Sequence, residues 1–136
     1  MVSKNRIRII TNNPLVTQCL PKDYEIDYTP CTYGEILVQV RDLVYSGHRL
    51  YTHPLSGSVK PNETPYKSIV VSRNPAGMEN EEAMLISNSI ETFKKFPPCR
   101  KELTEEMRND FQLIDYSLLC SALDLDAVMG LSNRRK

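Results

Sequence analysis

Histidine, glycine and closely spaced cysteines are scarce in this 136-residue sequence. Each scarcity argues against one class of metal, disulfide or nucleotide-binding site. Two histidines, His48 and His53, argue against a metal site built on paired imidazoles. The four cysteines are widely spaced without a C-x-x-C pattern, which indicates neither a zinc site nor a disulfide framework. The five glycines form neither a G-x-x-x-x-G-K-[ST] nor a G-x-G-x-x-G motif. We therefore expect neither a metal nor a cofactor.

An excess of charge of one sign is also missing, because 17 basic and 17 acidic residues give a formal net charge of zero. This balance argues against nucleic acid or a membrane surface as a partner held by long-range attraction. No apolar run approaches the roughly 18 residues that a membrane span needs, and residues 1–8 are too polar for a signal peptide. We expect a cytoplasmic, single-domain protein with an ordinary hydrophobic core.

The hydrophobic pattern predicts alternating strands and helices. Strands are predicted at residues 6–11, 24–28, 49–52 and 67–72, with a weak helix at 15–20 and stronger helices at 33–46, 81–96 and from 104 onwards. This order predicts an α/β fold with a small four-stranded, mostly parallel sheet flanked by helices, a Rossmann-like sandwich. We expect an α/β core at 1–98 and a helical extension at 99–136. The direction of the fourth strand stays open, because no helix is predicted between it and the third.

The helices carry clear end signals and apolar faces. Thr32 and Glu35 have the spacing of a capping box, and Gly47 follows the last apolar residue of that helix. The inner face of the 81–96 helix is predicted to hold Ala83, Ile86, Ile90 and Phe93. In the extension, apolar residues recur with spacings of 4, 3, 4 and 4, at Met107, Phe111, Ile114, Leu118 and Ala122. Two roles are open for this extension: it covers the sheet, or it forms the face of a homodimer.

The most unusual stretch is residues 52–68, which contains little that a core would bury. Three prolines restrict its backbone, and its side chains include an imidazole, hydroxyls, two lysines, one carboxylate and one phenol. Long loops in compact domains are often functional, and a flexible linker would contain less proline. We interpret this stretch as a shaped, polar, partly basic loop.

Polar residues follow each of the first three predicted strands, and ligands of open α/β sheets bind beyond the carboxyl ends of strands. If these strands are parallel, their ends share one edge of the sheet. A small anionic ligand would suit the amides, hydroxyls and lysine around Gly57. The candidate ligand-binding residues are Asn12, Asn13, His53, Ser56, Gly57, Ser58, Lys60, Asn62, Tyr66 and Lys67. The alternatives are a simple turn at the asparagines, a tight turn with a solvated lysine around Gly57, and a mere helix cap at Thr32.

Catalysis is the weaker hypothesis. His53 is the candidate base or proton donor, with Ser56 or Ser58 as the nucleophile. Glu63 or Tyr66 would orient the imidazole. All of these would come from one loop, whereas nucleophile and base usually sit on separate rigid elements, so we favour a protein that is not an enzyme. Cys31 is a second reactive candidate, because it precedes a helix N-terminus, where thiol pKa values fall.

The loop also carries a family resemblance. The segment from His53 to Ser68 (HPLSGSVKPNETPYKS) resembles the GrdX family, as do Ile10 to Val16 (ITNNPLV) and the helix containing VRDLV that ends in Gly47 and His48. The resemblance covers roughly residues 6–95. It implies a small accessory protein of an anaerobic bacterium, encoded beside the glycine, sarcosine and betaine reductase system, with components of those reductases as possible partners. It supplies no catalytic residues.

Overall fold

The chain forms one three-stranded sheet with helices on both faces in the computed structural model, which describes residues 4–55, 63–97 and 102–125. The strands are β1 (Ile7–Thr11), β2 (Glu25–Tyr28) and β3 (Ser68–Ser72). The helices are α1 (Pro14–Cys19), α2 (Tyr33–Tyr45), α3 (Asn80–Lys95) and α4 (Glu105–Ala122), and a 3-10 turn at Lys4–Arg6 precedes β1. The predicted α/β class is therefore confirmed.

The strand order is β2-β1-β3, and the two pairings differ in direction. β1 and β2 are parallel, with Thr11 opposite Tyr28. β1 and β3 are antiparallel, with Thr11 opposite Ser68. The carboxyl ends of β1 and β2 therefore lie beside the start of β3. We call this edge of the sheet, marked by Thr11, Tyr28 and Ser68, the carboxyl edge.

The prediction of four mostly parallel strands is not confirmed, because residues 49–52 do not form a full strand in the described part of the chain. They make one isolated antiparallel bridge, between Leu50 and Val71. Beside that bridge a side chain takes the place of a backbone acceptor, since Val70 N donates to Thr52 Oγ1 at 3.0 Å. The backbone pairing between residues 49–52 and β3 therefore stops after a single bridge. The strand-like composition of residues 49–52 does not reveal this interruption.

The best-specified element in the sequence, α2, forms as predicted. Glu35 N donates to Thr32 Oγ1 and Thr32 N donates to Glu35 Oε1, each at 3.1 Å, so the capping box is complete. After the helix, Gly47 has a φ of 106°, a conformation that a side chain disfavours. The buried residues of α2 include Ile36, Leu37, Val40 and Val44.

Two apolar clusters lie on opposite faces of the sheet. On one face, α2 and α3 cover Ile10, Ile69 and Val71, with Ile86 and Ile90 of α3 buried as predicted. On the other face, α1 and α4 cover Ile7, Ile9 and Val70. α4 is therefore part of the core of its own subunit.

The face that α4 buries is not the predicted stripe. The buried residues of the helix are Asp115, Tyr116, Leu119 and Cys120, and Leu123 just beyond it is also buried. Ile114 and Leu118, both in the predicted stripe, are exposed. The helix has apolar residues on two sides, and the pattern alone does not reveal which side meets the sheet.

Candidate functional site

Two consecutive asparagines leave β1 at the carboxyl edge, and both are buried. Asn12 is 4% exposed and Asn13 is fully buried. Pro14 fixes the start of α1, and Asn13 caps this helix by accepting a hydrogen bond from Leu15 N at 3.0 Å. Buried amides need partners for two donors and one acceptor each, and the fold supplies them.

The side chain of Asn12 joins three segments of the chain. Its Nδ2 donates to Cys31 O at 2.8 Å and to Pro65 O at 2.7 Å. Its Oδ1 accepts from Lys67 N at 2.8 Å. One side chain thus connects the end of β1, the connection before α2 and the segment that enters β3, so that residues 65–67 are held at the carboxyl edge.

Asn13 connects the same edge to α4. Its Nδ2 donates to Gln112 O at 2.9 Å and to Asp115 Oδ2 at 3.0 Å. Gln112 in turn donates through Nε2 to the phenol oxygen of Tyr66 at 2.9 Å. Residues almost one hundred positions apart are therefore joined by direct hydrogen bonds, and α4 approaches the edge from the side opposite α2.

A buried carboxylate lies at the centre of this network. Asp115 is 8% exposed, and it accepts from Ser68 N at 3.0 Å and from Ser68 Oγ at 2.6 Å. Thr11 Oγ1 and Ser68 Oγ also share a hydrogen bond of 2.7 Å. Burial raises the pKa of Asp115, while the hydrogen bonds from Ser68 and Asn13 and the charge of Lys67 act in the opposite direction.

A buried lysine is the electrostatic counterpart of that carboxylate. Lys67 is 5% exposed, and burial lowers its pKa, whereas the charge of Asp115 raises it. The two desolvation effects push the pKa values of this acid and this base towards each other. Such opposed shifts are frequent at functional sites, although buried ion-pair networks with a purely structural role also produce them.

The beginning of the polar loop is also held at the carboxyl edge. Tyr33, in the first turn of α2, is buried, and its hydroxyl donates to Pro54 O at 3.5 Å. The Tyr33 ring stacks on Phe93 of α3, with centroids 5.2 Å apart and planes inclined by 4°. Burial raises the pKa of Tyr33 far above its usual value, so the phenol stays protonated and keeps its donor.

His53 is exposed, and it takes part in the local structure of the loop. Its Nδ1 accepts a hydrogen bond from Leu55 N at 3.0 Å. Nδ1 is therefore the unprotonated nitrogen in the neutral ring, and Nε2 carries the proton. In this tautomer Nε2 is a donor rather than a base.

The predicted site residues divide into three groups. Asn12, Asn13, Tyr66 and Lys67 come together at the carboxyl edge through the bonds given above. His53 and Glu63 are exposed at the two described ends of the loop. The remaining predicted residues, Ser56, Gly57, Ser58, Lys60 and Asn62, lie outside the described residues.

Sequence reasoning missed Asp115, Ser68, Gln112 and Thr11. The only available signal was the position of Asp115, which falls between Ile114 and Tyr116 and shares a helix face with Leu119. A carboxylate among apolar neighbours on a helix indicates either a solvated edge or a buried partner.

Cys31 does not have the electrostatics of an activated thiol. Burial and the negative charge of Glu35 raise the pKa of Cys31, and the hydrogen bond from Gln39 Nε2 at 3.6 Å only partly offsets them. The expected lowering of the Cys31 pKa at the helix N-terminus is therefore not found, because burial of the thiol and, after it, the charge of Glu35 act in the opposite direction. Over the described ranges, no group of three His, Cys, Asp or Glu side chains has a metal-binding arrangement.

A surface groove of about 340 Å³ lies between α2 and α3, away from the carboxyl edge. It is lined by Arg41, Asp42, Tyr45, Ser87, Ile90, Glu91 and Lys94. The α2 residues come from the last two turns of the helix, whereas the carboxyl edge lies at its first turn. The groove is therefore separate from the Lys67 and Asp115 network.

Comparison with known proteins identifies the family. No curated protein and no solved structure matches the chain. None of the helices in the described residues is long and apolar enough to cross a membrane. The model of the GrdX-like protein family matches residues 8–124. The sequence resemblance ended near residue 95, whereas this match continues through α4. It includes Asn12, Lys67 and Asp115. The chain belongs to the GrdX-like protein family.

Proposed function

We propose that this protein is a non-catalytic accessory protein of the glycine reductase system that binds a small anionic or amino-acid-like ligand at the carboxyl edge. The 53–67 loop would contribute to the same site, and a reductase component would be the protein partner. Family membership supports the accessory role. Such a role requires a cytoplasmic protein, as the composition predicts, in an anaerobic bacterium, as the family resemblance implies.

The observation that carries the proposal is the buried pair of opposite charges at the end of the sheet. Lys67 and Asp115 are 5% and 8% exposed, respectively. Burial of a charged group costs free energy that an apolar side chain at the same position does not cost, so stability alone does not account for these two residues. Ligands of open α/β sheets bind beyond the carboxyl ends of the strands, which is where this pair lies.

Two groups at this edge are suited to a ligand carboxylate. The ammonium of Lys67 is partly desolvated, which strengthens its attraction to an anion. The phenol oxygen of Tyr66 accepts a hydrogen bond from Gln112, and no acceptor among the described residues binds the phenol proton. That proton therefore remains to be donated to an oxygen of the ligand.

The test is ligand-induced thermal stabilisation with glycine, sarcosine, betaine, acetyl phosphate and inorganic phosphate. At 100 times its dissociation constant, a ligand stabilises the native state by about 2.7 kcal/mol, or several degrees in Tm. We expect stabilisation by one member of this panel in the wild type. Lys67→Met should abolish the stabilisation and Tyr66→Phe should reduce it. Lys95→Met, which alters an exposed lysine at the end of α3, is the matched control.

The structural alternative gives a different result. If the buried pair serves only folding, no compound in the panel shifts Tm, and Lys67→Met changes stability alone. Equal stabilisation of the wild type and Lys67→Met would also contradict the proposed site. The partner is tested separately, by co-purification from lysate of glycine-fermenting cells, where enrichment of a reductase subunit over a mock bait is the expected result.

The alternative is a small hydrolase or transferase that uses His53 with Ser56 or Ser58. The hydrogen bond from Leu55 N to His53 Nδ1 gives the ring the tautomer that is unsuited to a base at Nε2. Nothing in residues 4–55, 63–97 and 102–125 favours this alternative. His53→Ala should accordingly leave ligand stabilisation largely intact.

A further inference from the structure

Within the described ranges, the phenol of Tyr66 uses only part of its hydrogen-bonding capacity. A phenol has one donor, its proton, and an oxygen that can accept. The Tyr66 oxygen accepts a hydrogen bond from Gln112 Nε2 at 2.9 Å, and no described group accepts the proton. Tyr66 is partly buried, on the segment that enters β3 at the carboxyl edge. The unused donor therefore lies at the proposed ligand site.

Gln112 holds this phenol in one orientation. The backbone of Gln112 is fixed, because its carbonyl oxygen accepts from Asn13 Nδ2 at 2.9 Å. About one turn later, Asp115 accepts from Ser68 N and Ser68 Oγ. The amide of Gln112 presents an N–H, and not its carbonyl, to Tyr66. Since a donor occupies the phenol oxygen on the side of α4, the phenol proton points away from α4.

The acceptors of the same network already have their donors. Cys31 O and Pro65 O both accept from Asn12 Nδ2. The Asp115 carboxylate accepts three hydrogen bonds from neighbouring residues. A ligand oxygen would therefore find a donor at Tyr66, whereas a ligand amine would have to displace the existing donor from the phenol oxygen. The bonding of this edge thus favours a ligand group that accepts hydrogen bonds.

We infer that Gln112 determines the specificity of the proposed site: its hydrogen bond directs the Tyr66 proton towards the ligand, so that the site selects a carboxylate or phosphate oxygen over an amine. The inference rests on the proposed function and names the part of the ligand that the site recognises. Gln112 acts through Tyr66 and is therefore a positioning residue. An amino-acid-like ligand would bind through its carboxylate, and methylation of its amine would change the affinity little.

The informative variant is Gln112→Glu, which reverses the hydrogen bond without removing it. At neutral pH the carboxylate of the variant can only accept, so the Tyr66 proton turns back towards α4 and is lost to the ligand. Gln112→Met keeps a side chain of similar length and removes the bond, which leaves the phenol proton free to rotate. The matched control is Asn109→Asp, which introduces the same charge at an exposed position three residues earlier, on the same side of α4.

The test measures the dissociation constant of each compound for the full-length protein, from the dependence of Tm on the concentration of that compound. The compounds are acetate, inorganic phosphate and methylamine, so the one that binds distinguishes a carboxylate from a phosphate. In the wild type, acetate or phosphate should stabilise the protein and methylamine should not. Gln112→Glu should weaken binding of that anion by about tenfold or more, the value of one hydrogen bond to a charged group. Gln112→Met should weaken it severalfold, and Asn109→Asp by less than about threefold.

Glycine, sarcosine and betaine differ only in methylation of the amine, and they should bind the wild type with similar affinity. Betaine binding far more weakly than glycine would overturn the inference. Equal anion affinity of the wild type and Gln112→Glu, or an equal loss in Asn109→Asp, would also overturn it and leave the proposed site standing. If Gln112→Glu lacks the far-UV circular dichroism of the wild type, Gln112→Met decides, and unchanged binding by that variant overturns the inference. A wild type that no compound stabilises would overturn the proposed function and this inference together.

Discussion

Replacing Asn12 by aspartate removes two hydrogen-bond donors while the shape of the side chain is preserved. In the wild type, Nδ2 donates to Cys31 O and Pro65 O at 2.8 and 2.7 Å. In Asn12→Asp, a carboxylate oxygen would face both carbonyl oxygens. The acceptor role towards Lys67 N is retained, because the other carboxylate oxygen replaces Oδ1. The substitution therefore isolates the two donated bonds.

The expected loss of stability at neutral pH is large. Leaving one buried acceptor without its donor costs about 1–3 kcal/mol, so two such acceptors correspond to about 3 kcal/mol or more. Repulsion between the carboxylate and the carbonyl oxygens adds to this loss. For a chain of this length, 3 kcal/mol corresponds to a decrease in Tm of about 10 °C. Asn88→Asp, at an exposed position of α3, should change stability by about 0.5 kcal/mol or less and is the control.

The loss should depend on pH, with a sign that follows from the geometry. The carbonyl oxygens disfavour the charged form, so the introduced carboxyl has a folded pKa above its unfolded value of about 3.9. Below that unfolded value the carboxyl is protonated in both states and regains one donor. The penalty relative to wild type therefore grows as pH rises from about 4 through the raised folded pKa.

Urea unfolding followed by far-UV circular dichroism measures this penalty directly, because the chain has no tryptophan to report tertiary structure. Wild type, Asn12→Asp and Asn88→Asp are compared at pH 7 and at pH 4.5. A difference of less than about 1 kcal/mol between Asn12→Asp and wild type at pH 7 would refute the argument. A penalty that increases towards acid would refute the assigned direction of the hydrogen bonds.

Three further substitutions test local features of the fold. Arg8 and Arg73 lower the pKa of Glu25, so the stability that this carboxylate contributes is lost as pH falls below about 4.5. Glu25→Gln should therefore make stability depend less on pH in acid. Urea midpoints measured from pH 6 to pH 3 test this. Gly47→Ala should lower stability by about 1–2 kcal/mol, since φ is 106° there, and a calorimetric Tm equal to that of wild type would contradict this. Thr32→Ala should lose about 1 kcal/mol by denaturant unfolding, and Thr32→Ser should recover most of it because the capping hydroxyl is kept.

The sequence was most informative where structure depends on near neighbours. The α2 capping box involves residues three positions apart, and Gly47 follows directly after the helix, so both could be predicted from local patterns. The inner face of α3 followed from periodicity, and Ile86 and Ile90 are buried as predicted. In each case the physical cause lies within one or two helical turns.

The repeat from Met107 to Ala122 left two roles open for α4, covering the sheet or forming the face of a homodimer, and it did not identify the face that meets the sheet. The sheet packs against the side that bears Asp115, and that carboxylate obtains its donors from Ser68 and Asn13, which are 47 and 102 residues away. Interactions of that range are not visible in a helical pattern. The carboxyl-edge network was missed for the same reason, although its strand-end asparagines were found.

The antiparallel entry of β3 has a consequence for how the loop can vary between related proteins. Two points of the loop are fastened to the carboxyl edge, Pro54 by Tyr33 and Pro65 by Asn12. Insertions or deletions between those anchors leave the register of the sheet unchanged. Doubling the length of a closed loop costs only about 0.6 kcal/mol in entropy. The segment between the anchors is thus the part of this fold in which sequence and length can change at the least cost to folding.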